Sequence, residues 1–454
     1  MVNQSVNAFE NMSVPRALGK FIIPSVISQL ATLILNLTDA FFVGRTGDTY
    51  QISAMTITFP LVMFMTCTAM IFGTGGNANV AAALAEKNYE KVKKFSSFSF
   101  YTAIAVISCI SILLLIVKEP CLRLLGADES SIAYCNGYLL WVLHIPCAAM
   151  VGSQVMSQLF VAEGETRIAS IGIAGAGIIN IILDPIFVLG FHQGIVGAGI
   201  ATCISNFSSF LFFIVMFYRK RKVSVLSISP KNYSVRNGIA KNTLSVGVPA
   251  GLSIFLMNCG DFVRNYLLGV YGGQAELAAW GTVQKLSNAF MQICVGVVQG
   301  VRPLISYNFA AKAIKRTKSI IRGAFGILIC YAFLCFGLVM LTPGPLVRLF
   351  LPVEEVAPIA ERFFQTWIPC FFGVCIVEGM NCVLQAIGKW KISLIDVLFN
   401  RTIIYIPCMF ILANYFDIPG VLFSQTVSET TVAIVLIFVY GKIMKNSEQQ
   451  TRNL

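Results

Sequence analysis

Two aspartates lie inside long apolar runs of this sequence. Asp39 belongs to FIIPSVISQLATLILNLTDAFFVG and Asp184 to IASIGIAGAGIINIILDPIFVLG, and neither run contains a basic residue. Each run is long enough to cross a bilayer, where an ionised carboxylate costs about 2.5–3.5 kcal/mol or more at the centre of a helix. Acids kept at such positions commonly bind a proton or a cation, so these two are the first candidates for function.

Side chains with oxygen atoms accompany both acids at a similar depth. Asn36 lies three residues before Asp39, and Asn180 lies four before Asp184, one helical turn away on the same face. Thr202 is eight residues into the next apolar run. At a rise of 1.5 Å per residue, Asp39, Asp184 and Thr202 fall roughly 7–12 Å below the predicted outer edge. The spacing predicts a cation-coupling layer that takes up a proton or holds Na⁺.

The composition places the chain among integral membrane proteins. Of its 454 residues, 56% are hydrophobic and only 12% are charged, and the mean hydropathy is +0.77, whereas a soluble domain is about 25% charged. The 14 cysteines form no CxxC pair and no zinc-type cluster with histidine. Apart from Na⁺ at Asp39, Asn180, Asp184 and Thr202, we therefore expect no metal and no cofactor.

Twelve apolar stretches have the length of a membrane span, about 20 residues. They run continuously rather than alternating with polar residues, which favours helices over a β-barrel. Lys and Arg number 24 in the segments on the side of the N-terminus and 5 on the other side, so both termini are predicted to be cytoplasmic. The stretches are 17–43, 52–81, 95–117, 131–160, 167–190, 194–217, 243–270, 275–308, 319–341, 358–386, 392–413 and 418–441.

The two halves of the chain repeat each other. A shift of 225 positions aligns Pro24 with Pro249 and Gly75 with Gly300, and places FVGRTGDTYQISAMT over LLGVYGGQAELAAWG. Six spans per half is an even number, so both halves start on the same side and the repeat is parallel. We therefore predict an N-terminal six-helix lobe at 1–220, a basic cytoplasmic linker at 221–242 and a C-terminal six-helix lobe at 243–454.

The charged residues inside the spans differ between the halves. The N-terminal spans hold two acids, Asp39 and Asp184, and no base apart from Lys20 at the cytoplasmic end. The C-terminal spans hold four of each sign, and buried charges are tolerated when they are paired. The N-terminal half is therefore expected to bind the external cation. The C-terminal residues are Asp261, Glu378, Asp396 and Glu429, with Arg264, Lys285, Arg302 and Arg401.

Four stretches resemble the multidrug and toxic compound extrusion (MATE) transporters, and the resemblance extends to their MepA-like bacterial branch. They are LNLTDAFFVGRTGD, FVAEGETR, GIINIILDPIFVLGFHQGIVGAGIATCIS and PAGLSIFLMNCGDFVRNYLLGVYGG. The resemblance implies an N-lobe cation site made of Asp39, Asn180, Asp184 and Thr202, with Gln154 as an amide on the fourth span. It also implies a polar or substrate site in the C-lobe at Asp261 and Glu378, although the neighbouring Arg264 departs from a simple cation site.

These observations favour a secondary antiporter that exports cationic, amphipathic compounds by alternating access, driven by H⁺ or Na⁺. The alternative on the same scaffold is a flippase for a lipid-linked precursor. An intramembrane enzyme is disfavoured, since His144 and His192 lie in no catalytic motif. No GxxxxGK[ST] motif is present, which agrees with ion coupling. We expect a monomer in the cell membrane with small cations and lipid as its partners, and no nucleic acid.

Overall fold

The computed structural model describes residues 9–44, 49–125, 127, 129–272, 274–348 and 356–452. For some residues within these helices, including 35–37 and 39–41, only the backbone is described. Contacts between Cα atoms divide the chain into two compact units. Unit 1 contains Met1–Met12 and Ile23–Gly251, and unit 2 contains Ser13–Ile22 and Leu252–Leu454. The predicted lobe boundaries at 220 and 243 remain a prediction drawn from the sequence alone.

Unit 1 is built from helices that the apolar runs specify. Most of helix α1 belongs to it, as does the first part of helix α8. Two of its helices, the ones that end at Leu139 and Asp184, are each followed directly by a short π-helical segment, Leu140–His144 and Pro185–Gly190. The helices are α1 Val14–Gly44, α2 Thr49–Ala85, α3 Tyr89–Leu124, α4 Ile132–Leu139, α5 Cys147–Glu163, α6 Thr166–Asp184, α7 Gly194–Lys220 and α8 Ile239–Tyr271.

Unit 2 follows the same plan with the remaining helices. It takes the first turns of α1 and most of α8. A π-helical segment, Phe399–Ile404, joins α14 to the last helix. The helices are α9 Gln274–Ala310, α10 Ile314–Leu341, α11 Pro343–Arg348, α12 Ala357–Trp367, α13 Cys370–Ala386, α14 Trp390–Leu398 and α15 Tyr405–Arg452.

The described helices are sufficient for twelve membrane spans. Nine are long and apolar enough to cross a membrane. Two further pairs of helices, bent by 41° and 49°, are long and apolar enough when each pair is taken as one span. One of the nine, Trp390–Ile443, has 54 residues, which makes about 81 Å of helix and more than twice the roughly 30 Å hydrocarbon core. Its backbone leaves the helical conformation at Asp417 (φ 49°), so it divides into two spans there.

The internal repeat is visible in the helix boundaries. Helices α1, α2 and α3 begin at residues 14, 49 and 89, and α8, α9 and α10 begin 225 positions later, at 239, 274 and 314. Lys87 and Lys312, also 225 apart, both adopt a positive φ after the second helix of their half, 54° and 57°. For the described residues, the predicted all-helical fold with an internal repeat is confirmed.

A matched pair of glycines lets two helices approach closely in each unit. In unit 1 a Cβ built on Gly75 would lie 2.2 Å from the carbonyl oxygen of Thr243, on the first part of α8. In unit 2 a Cβ built on Gly300 would lie 2.6 Å from the carbonyl oxygen of Phe21, on the first turns of α1. Only glycine fits at either contact, which explains why the shift of 225 positions preserves this residue.

The polar segment between the halves is docked on unit 1. Ser96 and Ser97 on α3 donate to the carbonyl oxygen of Ser227, at 3.0 and 2.8 Å. The buried carboxylate of Glu163 accepts from the Ser224 hydroxyl and the Val225 amide, both at 2.7 Å. We call residues 222–238 the linker strap. These bonds satisfy part of its backbone, as buried peptide groups require.

Candidate cation-coupling site

Three of the predicted site residues meet in unit 1. Asn180 and Asp184 on α6 are fully buried, with 0% of either residue exposed. The Asn180 amide nitrogen Nδ2 lies 3.3 Å from Asp184 Oδ1 and 3.3 Å from Thr202 Oγ1 on α7. The single amide therefore donates toward a carboxylate on its own helix and a hydroxyl on the neighbouring one, which ties α6 to α7 at the buried acid.

The backbone around Asp184 departs from a regular α-helix. Pro185 follows it and opens the π-helical segment Pro185–Gly190. Proline has no N–H, so the carbonyl of Ile181 loses its usual helical donor. Gly197 allows α7 to approach this segment, since a Cβ there would lie 2.7 Å from the Phe187 carbonyl oxygen. Single π-helical turns often occur at functional sites, and here one begins next to the candidate carboxylate.

The structure gives less information on the other predicted members of this site, Asn36, Asp39 and Gln154. Asn36 and Asp39 belong to α1, but their side chains lie outside the described residues. Helix α1 does contact α6 within unit 1, where the Ser170 hydroxyl donates to the Pro24 carbonyl at 2.6 Å. Gln154 on α5 is half-buried, and the structure describes no hydrogen bond from it to Asn180, Asp184 or Thr202. The layer remains a prediction as a whole.

The side-chain polar atoms of Asn180, Asp184 and Thr202 are oxygens together with one amide nitrogen. Carboxylate, hydroxyl and amide carbonyl oxygens suit hard cations, and a carboxyl group alone suits a proton. Within the described part of the chain, no three His, Cys, Asp or Glu side chains cluster in a way that could hold a metal ion. His144 of the π-helical turn accepts or donates a bond of 2.9 Å with Ser111, which fits a structural role.

A first charge network in unit 2 contains Asp261 and Arg264. The two side chains on α8 form an ion pair of 3.2 Å. The guanidinium lies 4.6 Å from the ring centre of Trp280 and donates through Nε to the Tyr405 hydroxyl at 2.8 Å. Its Nη2 donates to Gln425 at 3.0 Å. Asp261 is therefore already neutralised by an arginine that aromatic rings and an amide hold in place.

A second network contains Glu378, the other predicted acid of the C-terminal half. Arg401 donates to Glu378 on α13 and to Glu429 on α15, each at 2.8 Å. Asn400 also donates to Glu429, at 3.0 Å. We call Glu378, Arg401 and Glu429 the Arg401 triad. The C-terminal site predicted from Asp261, Glu378 and Arg264 is thus divided between two networks, each centred on its own arginine.

Several members of these networks were not predicted as site residues. Tyr405, Gln425 and Asn400 bear no charge, so they give no signal in an apolar sequence. Arg401 and Glu429 were noted as charges inside spans, but their partnership joins residues 28 positions apart. The signal that could have indicated them is the equal number of acids and bases in the C-terminal spans, since charges buried in an apolar interior are tolerated when they are paired.

Comparison with known proteins agrees with the repeat. The sequence profile of the family described as MatE matches residues 24–186 and again residues 249–411. The two matches begin at Pro24 and Pro249, in the same register as the aligned halves. Multidrug export protein MepA of Staphylococcus haemolyticus is 29% identical over 440 residues, covering 97% of this chain and 96% of that protein. MepA of Staphylococcus aureus strain MSSA476 is 28% identical over 439 residues, covering 97% and 96%.

Solved structures share the fold. An outward-facing multidrug resistance MATE family transporter of the MOP superfamily aligns with a TM-score of 0.92 at 20% identity, covering 98% of this chain and 99% of that one. A MATE crystal structure in the straight conformation aligns with a TM-score of 0.91 at 20% identity and the same coverage. The two profile matches together span more than half of the residues. This multi-pass membrane protein, with its duplicated helical units, therefore belongs to the MatE family.

Proposed function

We propose that this protein is a secondary antiporter that exports cationic, amphipathic compounds, including drugs, in exchange for H⁺ or Na⁺ by alternating access. The observation that carries the proposal is the fully buried Asp184, bonded through Asn180 to Thr202. A carboxyl group in that position changes the charge of its surroundings when it gains or loses a cation. Such a change is what an ion-coupled transporter needs in order to favour one conformation over another.

The charge state of Asp184 would decide whether its surroundings can stay dry. An ionised carboxylate in an apolar interior is strongly disfavoured unless it is paired or solvated. With a proton or Na⁺ bound, the group is neutral and α6 and α7 can pack around it. Once the cation leaves, water or a cationic substrate must take its place. Pro185 and the π-helical segment provide a point at which α6 can bend as this occurs.

The direction of transport follows from the membrane potential. One positive charge that moves inward contributes about 2.3 kcal/mol per 100 mV, before any concentration gradient. The charge distribution of the loops favours an orientation with both termini on the cytoplasmic side of the cell membrane. Asp39, Asp184 and Thr202 would then open to the outside, where the coupling cation is bound.

The expected substrates are cations because the N-terminal spans carry acids without matching bases. The relatives in Staphylococcus are named multidrug export proteins, which supports export of several chemically different compounds. The 35 phenylalanines and 15 methionines provide apolar surface for hydrophobic substrates, and the methionine side chain adapts its shape readily. A monomer with lipid around it is the simplest assembly for this function.

The test uses purified protein in proteoliposomes loaded with ethidium-type dye. A pH gradient and a Na⁺ gradient are imposed separately, each in the direction that would drive export. We expect dye transport under one of the two gradients, and this result also identifies the coupling ion. Dye transport that is equal with both gradients and with none would overturn the proposal.

A lipid flippase on this scaffold is less well supported by the charges of unit 2. A phosphate-bearing lipid needs available basic groups, but two of the four bases in the C-terminal spans are already paired, Arg264 with Asp261 and Arg401 with Glu378 and Glu429. The same proteoliposomes distinguish the two functions. Translocation of a fluorescent lipid without any dye transport would favour the flippase over the antiporter.

A further inference from the structure

Unit 2 contains a fourth acid within its predicted spans, which takes no part in the ion pairs described above. Asp396 on α14 is 6% exposed. Its Oδ2 accepts a hydrogen bond of 2.6 Å from Nδ2 of Asn381 on α13. Its other oxygen, Oδ1, is buried and has no hydrogen-bond partner among the described residues. The carboxyl group therefore has one occupied oxygen and one available oxygen, both away from solvent.

The occupied oxygen is fixed by a chain of hydrogen bonds that runs in one direction. Gln385 Nε2 donates to Ser393 Oγ at 3.2 Å, and Ser393 Oγ donates to Asn381 Oδ1 at 2.7 Å. Since its carbonyl accepts from Ser393, the Asn381 amide is oriented with its nitrogen toward Asp396. Oδ2 is thus held as an acceptor, which leaves Oδ1 as the oxygen that can bind a hydrogen.

Asp396 is buried beside charged groups that already have partners of opposite sign. Three groups act on it electrostatically: Glu378 from α13, Glu429 from α15 and Arg401 from the π-helical segment after α14. With all three carboxylates ionised, one guanidinium would leave the cluster with two uncompensated negative charges in a buried site. Glu378 and Glu429 each have an ion pair with Arg401. Asp396 has only an amide partner there, so it is the member of the cluster that most readily takes a proton.

We propose that Asp396 is a proton-binding site of unit 2, separate from the Asp184 site, and that it binds and releases its proton at Oδ1. It lies six residues after Trp390, the first residue of α14, roughly 9 Å along the helix. Lys389 precedes this helix and Lys391 lies in its first turn, and the sequence predicts that both are on the cytoplasmic side. Gain or loss of this proton changes the net charge around the Arg401 triad, and the predicted orientation puts the cytoplasmic end of α14 nearest to Asp396.

The experiment is infrared difference spectroscopy of the purified protein in lipid, titrated with acid. A protonated carboxyl group has a carbonyl stretch distinct from that of a carboxylate, so the spectrum reports the proton without any transport. We expect a titrating carboxyl band that disappears in Asp396→Asn and remains in Asp184→Asn and Asp39→Asn. A band of unchanged intensity in a folded Asp396→Asn variant would overturn the site.

A second variant covers the case in which Asp396→Asn does not fold. Asn381→Leu removes the donor to Oδ2, so the frequency of the same band should shift, and an unshifted band overturns the proposal. The titration is repeated with Na⁺ replaced by choline. A band that is the same in Na⁺ and in choline supports proton binding at Asp396. A band that is present in choline but absent in Na⁺ overturns the proposal, because Na⁺ would then occupy the site. Dye transport is not needed for any of these outcomes, so they stand apart from the test of antiport.

Discussion

Asn180 Nδ2 lies 3.3 Å from Asp184 Oδ1, one helical turn along α6, and equally far from Thr202 Oγ1 on α7. One amide thus connects the buried acid to a second helix. Both distances are slightly long for N–H···O bonds, which are usually 2.7–3.2 Å. This geometry fits a donor shared between two acceptors.

The first prediction concerns that shared donor. Asn180→Leu should lower gradient-driven dye export at least about tenfold, since a hydrogen bond to a charged group contributes about 1.5–3 kcal/mol. Asn414→Leu is the matched control, because the Asn414 side chain is exposed and accepts a hydrogen bond of 3.0 Å from the Tyr271 hydroxyl. The measurement is the initial export rate in proteoliposomes with equal protein content. Equal losses in both variants would argue against a specific role for Asn180.

A second prediction concerns the Arg401 triad. Arg401→Met should destabilise the protein by about 3–5 kcal/mol, since it leaves the buried Glu429 and the partly exposed Glu378 without their cation. Arg123→Met serves as the control, because its ion pair with Glu129 is exposed and should matter little. Thermal unfolding in detergent provides the comparison. If the two variants melt at the same temperature, the triad does not stabilise unit 2 as described.

A third prediction concerns the glycines that the repeat preserves. Gly75→Ala and Gly300→Ala should each destabilise their unit by about 1–3 kcal/mol, because the added Cβ would meet a backbone carbonyl that cannot rotate away. Gly326→Ala in α10 is the matched change, since a Cβ there meets nothing within 4 Å. Unfolding in a denaturant series should separate the first two variants from the third. Similar stability in all three would mean that the close approach tolerates a methyl group.

The linker strap gives a fourth prediction. Glu163→Leu removes the acceptor for Ser224 and Val225 while keeping an apolar group in the buried position. The strap should then detach more often, and trypsin should cut faster at Arg221 and Lys222. Exposed Glu129→Leu is the control for the loss of a carboxylate. Cleavage at the wild-type rate in Glu163→Leu would show that Ser96, Ser97 and the rest of the interface hold the strap without this carboxylate.

Much of the fold could be predicted because long apolar runs permit few structures in a membrane. Backbone groups must be satisfied within each span, so such runs become helices. The repeat was also visible, since tight turns and close helix contacts leave glycines at fixed spacing, as at Gly75 and Gly300. The contact between Asn180 and Asp184 followed from helical periodicity alone, while Thr202 needed the added assumption that α6 and α7 meet at that depth.

The charge networks of unit 2 could not be predicted in detail. Which carboxylate Arg401 reaches depends on the rotation of α13, α14 and α15 about their own axes. A small rotation would exchange one partner for another, and the sequence does not specify it. For the same reason the equal numbers of acids and bases do not show which acid lacks an ion pair, and the structure places Asp396 beside Asn381. Such contacts depend on tertiary packing rather than on local sequence.

The most direct test of the account is proton- or Na⁺-driven dye export by Asp184→Asn. The change keeps the size of the side chain but removes its negative charge and its ability to bind a proton. Asp417→Asn, the same change at an exposed residue, controls for expression and reconstitution. We predict that Asp184→Asn loses gradient-driven export while Asp417→Asn retains it. Wild-type export by a folded Asp184→Asn protein would contradict the central claim that this buried carboxylate couples transport to the ion gradient.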